Sequence, residues 1–204
     1  MYRLFFKRLF DMLGALIGLI FLAPIILVLI ILLAITNKGN PCFAQKRPGK
    51  NEKIFTIFKF KTMNDKKDAN GNVLPDNERL TFVGKFIRKA SLDEIPQLIN
   101  VFSGDMSFIG PRPLLIRYLP YYTTMDKKRH QIRPGITGLA QISGRNLLNW
   151  DDRLKKDVEY VENISFLNDF SILLKTIKNV LTSKDIVVDP SSVMIDLDDY
   201  RELG

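Results

Sequence analysis

The stretch Met12–Ile35, MLGALIGLIFLAPIILVLIILLAI, decides the fold because it carries no charged side chain. At about 1.5 Å per residue, a helix of this length can cross a hydrocarbon core of roughly 30 Å. Pro24 lies near its middle, lacks a backbone N–H and brings its ring against the carbonyl of Ile20. The length therefore fits a straight span, whereas the proline favours a re-entrant helix-break-helix. A cleaved signal peptide is disfavoured, because no convincing cleavage site follows.

The flanks of this apolar stretch favour the re-entrant path. Both are basic, with Arg3, Lys7 and Arg8 before the stretch and Lys38, Lys46, Arg47 and Lys50 after it. Positive charge favours the cytoplasmic side of a membrane, so we expect both ends on that side, next to anionic inner-leaflet lipid. A straight span with an external N-terminus stays open, because the second flank is the more basic.

Composition narrows the chemistry that the chain can perform. The chain has 204 residues and a net charge of +8, and only two acids, Asp11 and Glu52, precede Lys61. The single cysteine, Cys42, excludes an intrachain disulfide and a Cys-based zinc site, and fits a reducing cytoplasm. The single histidine, His130, follows three basic residues and is expected at the surface. No nucleic-acid-binding motif accompanies the positive charge, so we expect no nucleic-acid partner.

The remainder of the chain is typical of a mainly α fold with a small β element (α+β). Ile54–Phe60 alternates as a short strand does, and residues 64–77 form a polar loop or turn with an Asn-Gly pair. Residues 78–89 are expected to be helical, with Phe82, Phe86 and Val83 facing inward.

A second amphipathic helix is predicted at Phe166–Leu181. Lys175 and Lys178 lie outside its apolar face. That face consists of Phe166, Phe170, Leu173, Leu174, Ile177 and Leu181. Such a stripe fits a helix that packs on a core or one that lies in a membrane interface, and the sequence favours neither.

An adjacent acid pair lies in the stretch Ile87–Pro113, IRKASLDEIPQLINVFSGDMSFIGPRP. Asp93 and Glu94 follow the cations Arg88 and Lys89, which is the combination that phosphate chemistry on a metal requires. A purely structural role is also consistent, because Ser91 and Glu94 have the spacing of a capping box. That geometry would place Asp93 in a first helical turn, where anions are stabilised.

Several motifs together resemble the bacterial sugar transferases, the monotopic polyprenyl-phosphate phosphoglycosyl transferases. They occur in the expected order over nearly the whole chain: FKFKTM at 58–63, SLDEIPQ at 91–97, GDMS at 104–107, GPRP at 110–113 and RPGITGLAQISGRN at 133–146. The size resembles the minimal members, in particular the diacetylbacillosamine-phosphate transferases of protein N-glycosylation.

The resemblance implies that a sugar 1-phosphate moves from a UDP-sugar to undecaprenyl phosphate, with release of UMP. It implies Asp93 as the nucleophile and Asp93 with Glu94 as Mg²⁺ ligands, where Glu94 either completes the metal site or assists the acceptor. The substrate-binding cations would be Lys59, Arg88, Arg112 and Arg145. An acidic position of the family, Asp157, would orient Arg88 or Arg145. Downstream glycosyltransferases would then act on the lipid-linked product.

The predicted organisation has three parts. Residues 1–37 form the re-entrant membrane helix with its basic and aromatic flank, 38–185 the cytoplasmic catalytic domain with interfacial amphipathic helices, and 186–204 an acidic C-terminal tail. The protein would be monotopic in the bacterial inner membrane, with the catalytic domain facing the cytoplasm.

Two other classes of function compete with this interpretation. A glycosyltransferase that releases UDP often carries a DxD metal motif, and Asp196-Leu197-Asp198 fits those letters without the expected strand–helix context. A membrane-anchored basic adaptor would explain the charge and the apolar stretch, but not the ordered glycine, proline and acid motifs.

Overall fold

The computed structural model describes residues 1–144, 148–182 and 195–202, and in this part of the chain helices surround two small sheets. This confirms the predicted mainly α, α+β class. The helices are α1 (Lys7–Thr36), α2 (Asp76–Arg79), α3 (Phe82–Lys89), α4 (Gln97–Ser103), α5 (Leu139–Ile142), α6 (Trp150–Glu162), α7 (Phe166–Leu181) and α8 (Leu197–Glu202). The strands are β1 (Cys42–Pro48), β2 (Ile54–Phe60), β3 (Ser107–Ile109) and β4 (Gly135–Thr137).

The apolar stretch forms one continuous helix, α1, with Pro24 inside it. The sequence predicted two half-helices separated by a break, and this break is not confirmed. A long helix tolerates one proline because the neighbouring turns keep their own hydrogen bonds. Among the described residues, this is the one helix long and apolar enough to cross a membrane. The re-entrant path stays a prediction.

Both ends of α1 are bound to the rest of the protein. Near its N-terminus, the Arg8 guanidinium donates to the carbonyls of Val101 and Phe102 at 2.5 and 2.7 Å. At its C-terminal end, the Asn37 side chain donates to the Lys61 carbonyl at 2.6 Å. The helix therefore lies along the globular part instead of projecting away from it.

A buried carboxylate also holds the N-terminal segment. Asp169 of α7 accepts hydrogen bonds from Tyr2 and Lys7, both at 2.7 Å, and from Tyr160 at 2.6 Å. Lys7 and Arg8 were expected to face lipid headgroups, but both bind protein groups instead. Of the three cations before the apolar stretch, Arg3 is the exposed one.

The predicted strand Ile54–Phe60 is confirmed as β2, which pairs antiparallel with β1. Its register places Phe43 opposite Lys59, Gln45 opposite Ile57 and Arg47 opposite Phe55. Successive side chains of a strand alternate between faces, so these pairs share one face of the hairpin. Ile57 is buried on that face, which is therefore turned toward the protein.

The predicted helix over 78–89 is divided into α2 and α3, and two of its inward residues are wrong. Phe82 and Phe86 are 91% and 66% exposed, whereas Val83 packs on a buried cluster around Ile87, as predicted. Gly84 sets the orientation, because a Cβ there would come within 2.0 Å of the Thr62 carbonyl oxygen. The glycine side of α3 must face inward, and the phenylalanines face outward.

Helix α7 has the predicted bounds, but its apolar stripe does not pack on the core. Phe166, Phe170, Leu174 and Leu181 are all at least half exposed. Asp169 and Ile172 face inward instead. An exposed apolar stripe of this length is typical of a helix that lies in a membrane interface.

The C-terminal helix α8 packs against the domain. Leu197 is fully buried in a cluster with Leu114, Tyr118, Tyr122, Trp150 and Leu154. The Trp150 indole donates to the Ile195 carbonyl at 2.8 Å. The expectation for His130 is wrong: it is 6% exposed, because its ring packs against Tyr122 and its Nδ1 lies 3.3 Å from the Gly49 carbonyl oxygen.

Candidate active site

A cavity of about 1070 Å³ lies between the β1–β2 hairpin, the acid pair and the Pro111-Arg112-Pro113 segment. Its lining includes Asp93 and Glu94 with a set of cations: Arg47, Lys59, Arg88, Arg112 and Arg129. Leu22 of α1, Leu98 and Phe108 add an apolar wall. The cavity thus joins charged groups to the middle of the apolar helix.

The acid pair lies on a single 3-10 turn, Leu92–Glu94, just before α4. Ser91 adopts a left-handed conformation with φ of 55° and its side chain caps no backbone N–H, so the predicted capping box is absent. A capping Ser occupies the extended region, which this backbone does not. Glu94 is left free to face the cavity, and Asp93 is in the first turn as expected.

Glu94 is held by two cations. Its Oε1 accepts from the Lys59 ammonium at 2.8 Å and from the Arg112 guanidinium at 2.6 Å, while Oε2 lies 3.5 Å from Arg112 Nη1. Burial raises the pKa of the Glu94 carboxyl, but the charges of Arg112 and Lys59 outweigh it and hold the pKa well below its usual range. Glu94 is therefore a firmly ionised carboxylate.

Asp93, the next residue, differs from Glu94 in its contacts. Among the described residues, no side chain forms a hydrogen bond or ion pair with its carboxylate. Burial raises the pKa of Asp93, and the charge of Glu94 raises it further, against the opposing effects of Lys59, Arg112 and Arg88. Its oxygens are thus unengaged and partly desolvated, as expected of an attacking group.

The predicted substrate-binding cations differ in where the structure places them. Lys59 and Arg112 meet at Glu94, and burial lowers the pKa of Lys59 against the charge of Glu94. Arg88 lines the same cavity and donates from Nε to the buried Thr62 hydroxyl at 2.8 Å. Arg145 lies outside the described residues.

The backbone of Arg112 is positioned by Arg129, a residue that the sequence analysis did not identify. Arg129 donates to the Arg112 carbonyl at 2.6 Å and to the Asp157 carboxylate at 2.8 and 3.1 Å. Asp157 therefore orients Arg129. It was expected to orient Arg88 or Arg145; Arg88 binds Thr62 instead, and Arg145 lies outside the described residues. The basic sequence around Arg129 is typical of a solvated surface. The ion pair with Asp157 could not be predicted from the local pattern, because its partner lies 28 residues away in the sequence.

The loop that carries Arg112 is fixed by close backbone packing. Parallel strands β3 and β4 pair Ser107 with Gly135 and Ile109 with Thr137. A Cβ at Gly135 would come within 2.1 Å of the Gly110 nitrogen, so only glycine permits this approach. Gly135 therefore permits the close packing of β3 and β4.

The DxD-like letters lie away from the cavity. Asp196 binds Arg117 and the Tyr118 hydroxyl, Asp198 lies 3.4 Å from Arg117, and Leu197 is in the core. Neither aspartate lines the cavity. These contacts fasten α8 to the domain and do not favour a glycosyltransferase metal motif.

The chain matches the family model described as bacterial sugar transferase over residues 2–183. An uncharacterised sugar transferase, EpsL of Bacillus subtilis, is 49% identical, with coverage of 88% of this chain and 89% of that protein. The undecaprenyl-phosphate galactose phosphotransferase of Salmonella typhimurium is 38% identical over 87% of this chain. A UDP-N-acetylgalactosamine-undecaprenyl-phosphate N-acetylgalactosaminephosphotransferase of Aeromonas hydrophila is 37% identical over 87% of it.

The match spans 40% and 44% of the last two proteins, so this chain corresponds to less than half of each. The sugars in these names are galactose and N-acetylgalactosamine. The predicted likeness to diacetylbacillosamine-phosphate transferases in particular is not shown.

Proposed function

Because this chain belongs to the bacterial sugar transferase family and is a sugar-phosphate transferase, we propose that it transfers a sugar 1-phosphate from a UDP-sugar to undecaprenyl phosphate and releases UMP. The transfer would be the first membrane step in the assembly of a glycoconjugate, and downstream glycosyltransferases would extend its product. The reaction would proceed through an aspartyl phosphosugar intermediate.

The contrast between Asp93 and Glu94 carries this proposal. An ionised carboxylate needs no base in order to attack phosphorus, and Asp93 has no partner among the described residues. An Asp93 oxygen bonds to the β-phosphorus, the bond from that phosphorus to the bridging oxygen breaks, and UMP leaves. An oxygen of the acceptor phosphate then attacks the same phosphorus and restores the Asp93 carboxylate.

The cations would neutralise charge on the transferred phosphoryl group. Arg112 presents two N–H donors in a planar fork that matches phosphate oxygens. Its side chain is 42% exposed toward the cavity even while it contacts Glu94. Arg88 and Lys59 supply further positive charge, which favours a substrate with two phosphates.

Two carboxylates and a diphosphate form an oxygen donor set that fits Mg²⁺, which usually keeps several waters and takes one or two protein carboxylates. Asp93 has unengaged oxygens, and Oε2 of Glu94 makes only a 3.5 Å contact with Arg112. We propose that these residues hold Mg²⁺, which when bound would neutralise the donor diphosphate.

The lipid acceptor would enter from the apolar wall of the cavity. Leu22 belongs both to this wall and to the apolar stretch of α1. The exposed Phe82 and Phe86 of α3 and the exposed stripe of α7 are further apolar side chains that would contact lipid. A monotopic enzyme that rests in the membrane interface would thus receive the polyprenyl chain without removing it from lipid.

We further propose the re-entrant topology, in the bacterial inner membrane with the catalytic domain facing the cytoplasm. The polar contacts of Arg8 and Asn37 with the globular part support it. A helix that crossed the membrane would carry one of these contacts to the far side. Exposed Arg3 and the exposed lysines after α1, Lys38, Lys46 and Lys50, would meet anionic lipid; Arg47 of the same basic flank lines the cavity instead.

Single cysteines at Arg3 and Lys50, in a Cys42→Ser background, test this topology. Both residues are exposed and make no ion pair within the described residues, unlike Lys7, which pairs with Asp169. Both cysteines should resist an impermeant thiol reagent in intact cells and react after permeabilisation. Labelling of position 3 alone in intact cells would establish a straight span.

A burst of UMP release tests the chemistry. Enzyme, Mg²⁺ and UDP-sugar without lipid should release one equivalent of UMP, and the protein should gain the mass of a sugar phosphate at Asp93. Asp93→Asn should abolish both signals. Glu94→Gln is the matched control: the burst survives if Glu94 assists only the acceptor, and falls if Glu94 holds the metal. Release of UDP, or of UMP only when lipid is present and with no adduct, would contradict the proposal.

The donor sugar requires a panel of UDP-sugars read by UMP release. UDP-diacetylbacillosamine is the predicted donor from resemblance, and UDP-galactose and UDP-N-acetylgalactosamine are the donors suggested by the relatives' names. The sugar with the highest kcat/KM identifies the substrate. Absence of any nucleotide release would favour the adaptor instead.

A further inference from the structure

One cation in the cavity, Arg47, has no place in the transfer just described. It lies near the end of β1 and lines the cavity together with Lys59 and Arg112. The strand register puts Arg47 and Lys59 on the same face of the hairpin, four cross-strand pairs apart. At about 3.3 Å per residue, four residues separate these pairs by about 13 Å along the strand.

The guanidinium of Arg47 is oriented but not neutralised. Its Nη2 donates to the Gln45 amide oxygen at 2.6 Å, a neighbour on the same strand face. Within residues 1–144, 148–182 and 195–202, no carboxylate lies within ion-pair distance of Arg47. A partly buried cation without an anionic partner is costly, and an anionic ligand would remove that cost.

The surroundings of Arg47 are cationic and aromatic. Burial lowers the pKa of Arg47, and the nearby positive charge of Arg112 lowers it further. Strand β1 also contacts the 3-10 segment Ile116–Tyr121, which follows the Pro-Arg-Pro loop. Arg112 lines the cavity with both Glu94 and Arg47, and its charge acts on each of them.

We propose that Arg47, with Arg112, binds the nucleotide phosphate of the donor, the phosphate that departs as part of UMP. The inference rests on the proposed function and names a site within it. A UDP-sugar carries two phosphates in sequence, so one at Asp93 and Arg112 leaves the other, with its uridine, to extend along the hairpin toward Arg47. Its guanidinium would stabilise the charge that the α-phosphate gains when the bridging bond breaks.

The adjacent residue supplies a matched control. Lys46 is a cation on the opposite face of β1 and is exposed. Arg47→Met and Lys46→Met remove the same charge from neighbouring positions of one strand. Arg47→Lys keeps the charge but loses the two-pronged donor. If Arg47→Met folds poorly, UMP binding is compared between Arg47→Lys and the wild type instead.

Binding is measured calorimetrically with purified full-length protein in detergent, using UMP and uridine as probes. Arg47→Met should weaken UMP binding by about 10-fold or more, the usual effect of losing a hydrogen bond to a charged group. Uridine binding should be unchanged, because it carries no phosphate. Lys46→Met should bind both as the wild type does, and Arg47→Lys should fall between the wild type and Arg47→Met.

The outcomes separate this inference from the proposed function. If the wild type binds UMP and Arg47→Met binds it equally well, the inference is wrong while the transfer reaction stands. If Arg47→Met instead raises the KM for undecaprenyl phosphate and leaves UMP binding intact, the phosphate belongs to the acceptor and the inference is overturned. If the wild type binds no UMP but still gives the lipid-independent burst, the inference is overturned and the transfer reaction stands; if the burst and the adduct are absent as well, the proposed function fails too.

Discussion

Two adjoining arginine–carboxylate clusters line the cavity of this protein, and they differ in how far their side chains are exposed. In the cavity cluster, Glu94 joins Arg112 and Lys59, whose side chains are 42% and 22% exposed. In the buried cluster, Arg129 and Asp157 are 2% and 3% exposed. The Arg112 backbone carbonyl, which accepts from Arg129, connects the two.

The balance between burial and cationic partners explains how the two carboxylates differ. Glu94 forms ion pairs with Arg112 and Lys59, and together they hold its pKa below the usual range in spite of burial. Asp157 forms an ion pair with Arg129, and burial raises its pKa despite the charges of Arg129 and Arg153. The cavity cluster thus keeps its charges available for a ligand, whereas the buried cluster uses its charges to position the loop that carries Arg112.

The largest expected effect follows from breaking the buried cluster. Asp157→Asn leaves the Arg129 guanidinium buried without a counter-charge, which costs about 3–5 kcal/mol of unfolding free energy. For a chain of this size, that loss lowers Tm by about 6–20 °C. Thermal unfolding of the purified protein in detergent measures it.

The matched control for this variant lies on the same helix. Glu162 of α6 pairs with Lys128 at 2.8 Å, and both side chains are more than a third exposed. Glu162→Gln should change the unfolding free energy by less than about 1 kcal/mol, because water screens such pairs. Equal Tm values for Asp157→Asn and Glu162→Gln would show that burial does not distinguish the two pairs.

The sequence predicted the cavity cluster better than the buried one. Asp93, Glu94, Lys59 and Arg112 lie in motifs that the family resemblance covers, so their meeting at one cavity could be anticipated. Arg129 lies in a run of basic residues, and the local pattern indicates solvent exposure. Its burial arises from a contact with Asp157 far along the chain, which no local pattern encodes.

Orientation of helices was the other feature that sequence could not give. The bounds of α7 follow from its period, but the direction of its apolar stripe depends on whether the stripe meets protein or lipid. In α3, the choice of inward face depends on Gly84, which must approach Thr62. A small residue decided the packing where the large aromatic residues suggested otherwise.

A smaller effect is expected from altering the cavity cluster without removing charge. Arg112→Lys loses the bidentate fork, and the loss of a charged hydrogen bond to phosphate costs about 1.5–3 kcal/mol. The kcat/KM for the UDP-sugar should fall by about 10- to 150-fold. Tm should stay within about 2 °C of the wild type, since Arg112 is partly exposed. A Tm loss as large as that of Asp157→Asn would mean that Arg112 is structural.

The smallest expected effect is a shift in pH dependence. Burial and the charge of Glu94 raise the pKa of Asp93, so the burst of UMP should be complete above this raised pKa and should fall as pH decreases through it. Lys59 opposes the shift, because its positive charge favours the Asp93 carboxylate. Removing either neighbour should therefore move the acid limb of the burst rate, in opposite directions.

Glu94→Gln removes a negative charge next to Asp93. The pKa of Asp93 therefore falls, and the acid limb of the burst rate moves to lower pH. Lys59→Met removes a positive charge, which raises the pKa and moves the limb to higher pH. The opposite directions of the two shifts identify Asp93 as the titrating group, because Glu94 raises its pKa and Lys59 lowers it. Single-turnover UMP release, measured by rapid quench from pH 4 to 8, gives the limb even where the rate is reduced. Limbs that move in the same direction would mean that the titrating group is not Asp93.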